Sequence, residues 1–146
     1  MTPTLMGRWQ TRLLLYVFLA LPITLVFAWA FGLANTGQFY DPFVFVTALT
    51  LIGLLSDVAY IQIQRFRWDN DWPFAFQLFF SIMEFFLTFG FMNLGLFDPF
   101  LAYRIPLWFA SIHFLLILVP SYLAVVAGIQ IFLLRWRFKG GEIGRH

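Results

Sequence analysis

The sequence predicts an all-α integral membrane protein, a single transmembrane domain built as a four-helix bundle. Hydrophobic residues make up 62% of the 146 residues and charged residues only 11%, whereas soluble domains carry about 25% charged residues. Four long apolar segments follow one another, separated by short polar stretches. About 20 apolar residues suffice for a helix to cross a bilayer core of about 30 Å, so each segment predicts a span.

The spans begin with residue types that suit helix starts. Proline occupies the first position of the last three spans, where its missing N–H costs no hydrogen bond. Aspartate, a common N-cap residue, precedes Pro42. The four predicted spans cover residues 13–34, 42–63, 73–97 and 106–134.

The first apolar segment also permits a second interpretation. Two arginines, an apolar run and Ala28-Trp29-Ala30 follow the order of a cleavable signal peptide. Cleavage there would leave three spans with the same orientation. The apolar run continues to Ala34, beyond a usual signal core of about 7 to 15 residues, which favours a retained helix.

The distribution of basic residues predicts the orientation. Arg104 is the one basic residue at the outer end of the predicted spans. Because basic residues are retained in the cytoplasm, both termini and the middle loop are expected to face inward. Simple spans without evident eukaryotic sorting signals favour a bacterial inner (plasma) membrane. The basic residues at the inner end are Arg8, Arg12, Arg65, Arg67, Arg135, Arg137, Lys139 and Arg145.

Charged residues after the second and fourth spans are candidates for contacts with lipid headgroups. Arginine and tryptophan together at a membrane boundary suit anionic headgroups. The middle loop also holds two carboxylates and an amide, too few for a specific cation site, so we expect ion pairs within the loop and predict no metal. The residues assigned to this inner surface are Arg65, Arg67, Asp69, Asp71, Arg135 and Arg137.

The two outward loops resemble each other. Residues 35–43 read Asn-x-Gly-x-Phe-Tyr-Asp-Pro-Phe, and residues 93–100 repeat this pattern without the tyrosine. A duplication would make the protein two parallel-repeat helical hairpins, related by an axis along the membrane normal. The alternative is that any tight helix connection uses asparagine, glycine, aspartate and proline. The sequence leaves both interpretations open.

Three ionisable side chains fall inside the predicted spans: Asp57, Glu84 and His113. A charge at mid-membrane costs about 2.5 kcal/mol or more, so such residues usually face the bundle interior and often mark ion, proton or ligand pathways. Polar and small residues recur around them at helical spacing, which predicts an inward stripe. The supporting members of this stripe are Thr50, Tyr60, Gln77, Ser81 and Thr88.

The predicted spans place these residues at different depths. At about 1.5 Å per residue, Asp57 lies roughly 9 Å from the inner end of its span and Glu84 roughly 16 Å from the inner end of its own. His113 lies roughly 10 Å from the outer end. Asp57 is therefore expected opposite Gln77 and Ser81. Glu84 is expected in a dry layer and uncharged, because desolvation disfavours a carboxylate.

These features support three functional hypotheses. The leading one is a small non-enzymatic subunit that forms a homo-oligomer or packs against other membrane subunits, since no nucleophile, phosphate loop or metal cluster appears. The second is proton or small-cation transport through an oligomer along the intramembrane carboxylates. The third is an enzyme or binder for a lipid, isoprenoid or sterol-like ligand, with Glu84 and His113 as acid and base.

Composition limits the cofactors and partners. The absence of cysteine excludes disulfides and thiolate metal sites. The formal charge of +2 comes from residues that flank apolar segments, so no nucleic-acid partner is expected. No cofactor is predicted, although the 22% aromatic content leaves an apolar ligand such as a carotenoid, quinone or sterol as an alternative. The expected surroundings are the lipid bilayer.

Overall fold

The computed structural model describes residues 4–66, 74–101 and 104–129, and these residues form helices and the turns between them. Each of the four helices is long and apolar enough to cross a membrane, which confirms the predicted all-α four-helix bundle. Helix α1 is Leu5–Ala30, α2 is Asp41–Phe66, α3 is Phe74–Asn93 and α4 is Leu107–Leu123, continued by a π-helical segment at Ala124–Ile129.

The first helix starts well before the predicted span. It begins at Leu5 instead of residue 13, so that Arg8 and Arg12 lie inside it. The side chain of Thr4 caps this start by accepting a hydrogen bond from the Gly7 N–H at 3.1 Å, and arginine is a good helix former. The two arginines that were predicted to precede the span therefore lie within the first helix.

A π-helical segment, Tyr16–Ala20, interrupts the α-helical part of α1 just before Pro22. Proline inside a helix has no N–H to donate, and its ring clashes with the carbonyl four residues back. The wider π turn is closed by the Leu21 N–H, which donates to the Tyr16 carbonyl. This turn accommodates the proline, so α1 continues to Ala30.

The bundle has two ends that differ in chemistry. At one end of the bundle α1 begins, α2 ends and α3 begins. We call this the basic end, because the exposed Arg65 lies there. The loop end is the opposite one, where α1 connects to α2 and α3 connects to α4. The antiparallel packing of α1 on α2 places residues near the start of α1 against residues near the end of α2.

Apolar side chains fill the bundle interior between the middle and the loop end. Phe85 of α3 and Phe114 of α4 stack with ring centroids 4.6 Å apart, and Phe45 of α2 meets Phe85 edge to face. Neighbouring helices close this layer with small and branched side chains: Ala20, Val46, Ala48, Ala110 and Ile117.

The two turns at the loop end share one backbone feature but lead into their next helices differently. Gly37 and Gly95 both adopt the left-handed region, with φ of +74° and +81°, which glycine reaches without steric cost. However, Asp41 begins α2 directly, whereas Asp98–Phe100 is a separate 3-10 turn and α4 begins only at Leu107. The internal duplication stays a prediction.

Single-cysteine labelling tests the predicted orientation, because the sequence contains no cysteine. Thr36 is exposed at the loop end, and Phe66 is 91% exposed at the basic end. If both termini are cytoplasmic, a membrane-impermeant maleimide should modify Thr36→Cys in intact cells and Phe66→Cys only after permeabilisation. The reverse pattern would contradict the predicted orientation.

Candidate functional site

Polar residues on α1 face the bundle interior at intervals of four. Arg8, Arg12 and Tyr16 lie on one face of the helix, since residues four apart are stacked along it. Each side chain has a partner on α2: Arg8 lies 3.8 Å from Asp57, Arg12 bonds the same carboxylate, and the Tyr16 hydroxyl bonds Thr47 at 2.8 Å. This face of α1 is therefore a polar seam against α2.

The guanidinium of Arg12 joins the two buried carboxylates of α2 and α3. Its Nε and Nη2 donate to the two oxygens of Asp57, both at 3.1 Å. Its Nη1 and Nη2 donate to the two oxygens of Glu84, at 2.8 and 3.1 Å. One side chain of α1 thus holds α2 and α3 at the same point through two paired, charge-assisted contacts, the strongest class of protein hydrogen bond.

The two carboxylates lie in one layer, which the predicted depths did not anticipate. Asp57 is nine residues from the end of α2 at Phe66, and Glu84 is ten residues from the start of α3 at Phe74. At about 1.5 Å per residue the distances are roughly 14 and 15 Å. Because α2 runs three residues past the predicted end at 63, Asp57 lies farther from the end of its helix than predicted. It shares Arg12 with Glu84, whereas Gln77 and Ser81 were its predicted neighbours.

Burial and charge define this Arg12–Asp57–Glu84 network. The side chains of Asp57 and Glu84 are 2% and 4% exposed, and that of Arg12 is 26% exposed. The expectation of an uncharged Glu84 rested on a dry layer without a counter-charge. The structure places the guanidinium of Arg12 2.8 Å from that carboxyl group, as a counter-charge that the expectation did not include.

Gly53 makes room for the guanidinium. It lies one helical turn before Asp57 on α2, and its backbone faces Arg12 directly. A Cβ at this position would overlap Nη1 of Arg12 and stand 2.5 Å from its Cζ and 3.0 Å from Oε2 of Glu84. A side chain at this position would displace the guanidinium from its place beside α2.

Toward the basic end, a second arginine extends the network. Arg8 Nη2 lies 3.4 Å from Oε1 of Gln64, and the indole N–H of Trp9 donates to the Leu54 carbonyl at 3.0 Å. Arg8 and Arg12 together balance the formal charges of Asp57 and Glu84. The four-residue cluster therefore carries no net charge, which lowers the electrostatic cost of holding it in a membrane.

The hydroxyl groups of the predicted stripe mostly bond their own helix. Thr50, Ser81 and Thr88 donate to the carbonyl four residues earlier at 2.7 to 2.8 Å, a common way to satisfy a hydroxyl inside a helix. Tyr60 is buried and packs on Phe80 with ring centroids 4.3 Å apart. Tyr60 and Thr88 are therefore buried in the interior beside the network, whereas Thr50, Gln77 and Ser81 are half-buried.

His113 belongs to a different place in the bundle. Its Nε2 lies 2.9 Å from the hydroxyl oxygen of Thr24, which itself donates to the Ala20 carbonyl at 2.7 Å. Because that hydroxyl has one hydrogen, His113 is the donor in this arrangement. The imidazole stacks on Phe27, with centroids 4.5 Å apart and planes 19° apart, so it is held by one hydrogen bond and aromatic packing.

The structure does not bring His113 to the carboxylates. Thr24, its partner on α1, is twelve residues beyond Arg12, which is about 18 Å along a helix. Ala20, Val46 and Ile117 pack together in the interval. Among the described residues the polar groups therefore form two separate sites, with Asp57 and Glu84 in one and His113 in the other.

Arg12 is the site residue that the sequence interpretation missed. The signal was present as the four-residue spacing of Arg8, Arg12 and Tyr16, continued by the small Ala20 and by Thr24. A helix that carries such a stripe through its apolar segment has an inward face. The count of basic residues at the boundary instead assigned both arginines to the cytoplasmic flank.

The inner surface predicted for lipid headgroups is only partly described. Arg65 is exposed near the end of α2, as a headgroup contact requires. The other residues assigned to that surface lie outside the described residues: Arg67, Asp69, Asp71, Arg135 and Arg137.

Comparison with known proteins gives no relative for this arrangement. No protein-family model, curated protein or solved structure matches the chain. The geometry of the network and of the surfaces around it is therefore the basis for assigning a function.

Removing the guanidinium should destabilise the bundle. We expect Arg12→Gln to lower the free energy of unfolding by about 3 kcal/mol or more, because it removes the four hydrogen bonds that Arg12 donates to two buried carboxylates and leaves Asp57 only the 3.8 Å contact with Arg8. Thermal unfolding in mild detergent measures the loss. Arg65→Gln, which removes an exposed arginine, is the matched control and should unfold like the parent. Equal stability of the two variants would contradict the role of Arg12.

The space at Gly53 can be tested against the same side chain. Gly53→Ala should destabilise the parent, because the added methyl group displaces the guanidinium from its two carboxylates. In an Arg12→Gln background the same substitution should cost at least about 1 kcal/mol less, as directly contacting residues couple by about 0.5 to 3 kcal/mol. Identical costs in the two backgrounds would show that Gly53 and Arg12 act independently.

Proposed function

We propose that this chain is a small non-enzymatic membrane subunit. The Arg12–Asp57–Glu84 network stabilises the interior of its bundle, and its outer surface packs against further membrane helices. The observation that carries the proposal is the pairing of both acids with one side chain: each of the four carboxylate oxygens accepts a hydrogen bond from Arg12. Such acids serve to position helices.

The pairing of both carboxylates with Arg12 also weighs against the two alternatives, ion transport and acid/base catalysis. A proton or cation carrier needs a carboxylate that releases its partner and takes up the transported ion, and each oxygen here faces a guanidinium that stays charged. An acid/base pair needs its two members near one substrate, and Glu84 and His113 lie in separate sites. The packing role therefore accounts for the intramembrane charges with the fewest further assumptions.

The outer surface of α3 supplies the reason to expect a partner helix. Gly90 is exposed, with no neighbouring side chain or backbone within 4 Å of where a Cβ would stand. Glycine inside a helix costs about 1 kcal/mol relative to alanine, and nothing among the described parts of the bundle requires it here. In membranes, small outward residues let two helices approach closely, and amides bond across the contact.

An amide lies on the same face. Asn93 follows Gly90 by three residues, is exposed, and uses one N–H to bond the Phe89 carbonyl at 3.0 Å. Its amide oxygen and second N–H remain available at the surface. Gly90 and Asn93 together favour contact with a second copy of α3 or with a helix of another subunit.

The mass of the purified complex tests this proposal. Native mass spectrometry from mild detergent should detect a homo-oligomer or a complex with another membrane protein. Gly90→Ile should reduce the complex at least about fivefold relative to the monomer, because the side chain blocks close approach. Ala59→Ile enlarges another exposed small residue, on α2, and should leave the complex intact. A parent that is only monomeric, or a complex indifferent to Gly90→Ile, would refute the proposed packing surface.

A further inference from the structure

A cavity opens at the loop end, away from both polar sites described above. It has a volume of about 230 Å³ and lies between the end of α1, the connection to α2, and the start of α4. Its polar lining includes Gln38, Asp41 and Arg104, and its apolar lining includes Phe31, Trp108 and Phe109. The cavity therefore combines two opposite charges with aromatic walls.

The two charged groups differ in their surroundings. Asp41 is buried as the first residue of α2. Arg104 is exposed just before α4, and within the described parts of the chain its guanidinium forms no ion pair. A cation that faces a cavity without a carboxylate at ion-pair distance is available to an anionic group. With Asp41 on the same lining, the net formal charge of the cavity is zero.

Aromatic rings form the rest of the cavity and fix its position. Phe31 and Phe109 meet edge to face with centroids 5.3 Å apart, and both pack on Phe27. Trp108 is exposed beside them. Exposed aromatic residues at the ends of membrane-spanning helices lie at the level of lipid headgroups. These residues favour a position of the cavity opening at the level of the headgroups.

We propose that this cavity binds a zwitterionic phosphate–ammonium headgroup, with the phosphate at Arg104 and the ammonium toward Asp41 and Gln38. Arginine recognises phosphate through paired N–H donors. A phosphoethanolamine group has about eight non-hydrogen atoms, and the cavity has the volume of about seven or eight waters at ~30 Å³ each. The exposed Phe31 and Trp108 would then lie beside the acyl chains of a bound lipid.

Lipid titration followed by native mass spectrometry tests the charge pairing. Purified protein is titrated with dihexanoyl phosphatidylethanolamine and, separately, with dihexanoyl phosphatidylglycerol, which lacks the ammonium. We expect half-occupancy by the zwitterionic lipid at a concentration at least about fivefold lower, because only its ammonium can pair with Asp41. Arg104→Gln should raise that concentration by a similar factor. Arg65→Gln removes an exposed arginine at the basic end and should not change it.

Competition with free phosphoethanolamine identifies the source of the headgroup. If the soluble compound displaces the lipid at equal concentration, the cavity recognises the headgroup alone. If it does not, the acyl chains contribute and the ligand is a membrane lipid; both results support the phosphate–ammonium chemistry. Equal binding of the two lipids, or binding unchanged by Arg104→Gln in a variant that unfolds like the parent, would overturn the proposal.

Discussion

The pairing of one guanidinium with two carboxylates is the interaction on which the arrangement of the first three helices depends. Arg12 makes four hydrogen bonds to Asp57 and Glu84 from its five N–H groups. Lysine could not replace it, because an ammonium has three donors and no planar fork. The geometry also constrains the backbone, since Gly53 lets the guanidinium lie against α2. The network therefore requires an arginine at position 12 and a glycine at position 53 together.

The two halves of the bundle are held by different physical means. Near the basic end the interior contains two arginines and two carboxylates, whose formal charges cancel. Their ion pairs fix how α1, α2 and α3 are rotated about their own axes. Toward the loop end the interior is aromatic, with His113 stacked on Phe27 and bonded to Thr24. The buried residues in the described part of α4, Ala110, His113, Phe114 and Ile117, belong to that second half. The positions equivalent to Glu84 and Asp57 in the predicted duplication are Val26 and Phe114, so the ionic network has no counterpart.

The sequence is sufficient for the four helices because apolar segment length has few alternatives in a bilayer. It also indicates Asp57 and Glu84, since an acid in such a segment must face inward. It does not place Arg12, because an arginine near the end of an apolar run fits both a cytoplasmic flank and an interior ion pair. The choice depends on whether acids on other helices reach the same depth. In this chain α2 extends three residues beyond its predicted span, so that Asp57 and Glu84 lie at similar distances from the ends of their helices.

The separation of Arg12 from its partners along the chain also constrains how the protein is made. Asp57 follows it by 45 residues and Glu84 by 72. The pair with Asp57 can form once α2 has been translated, and the pair with Glu84 only once α3 has been translated. Until then an arginine within a membrane-spanning segment is costly, so the network is completed only after three of the four helices exist.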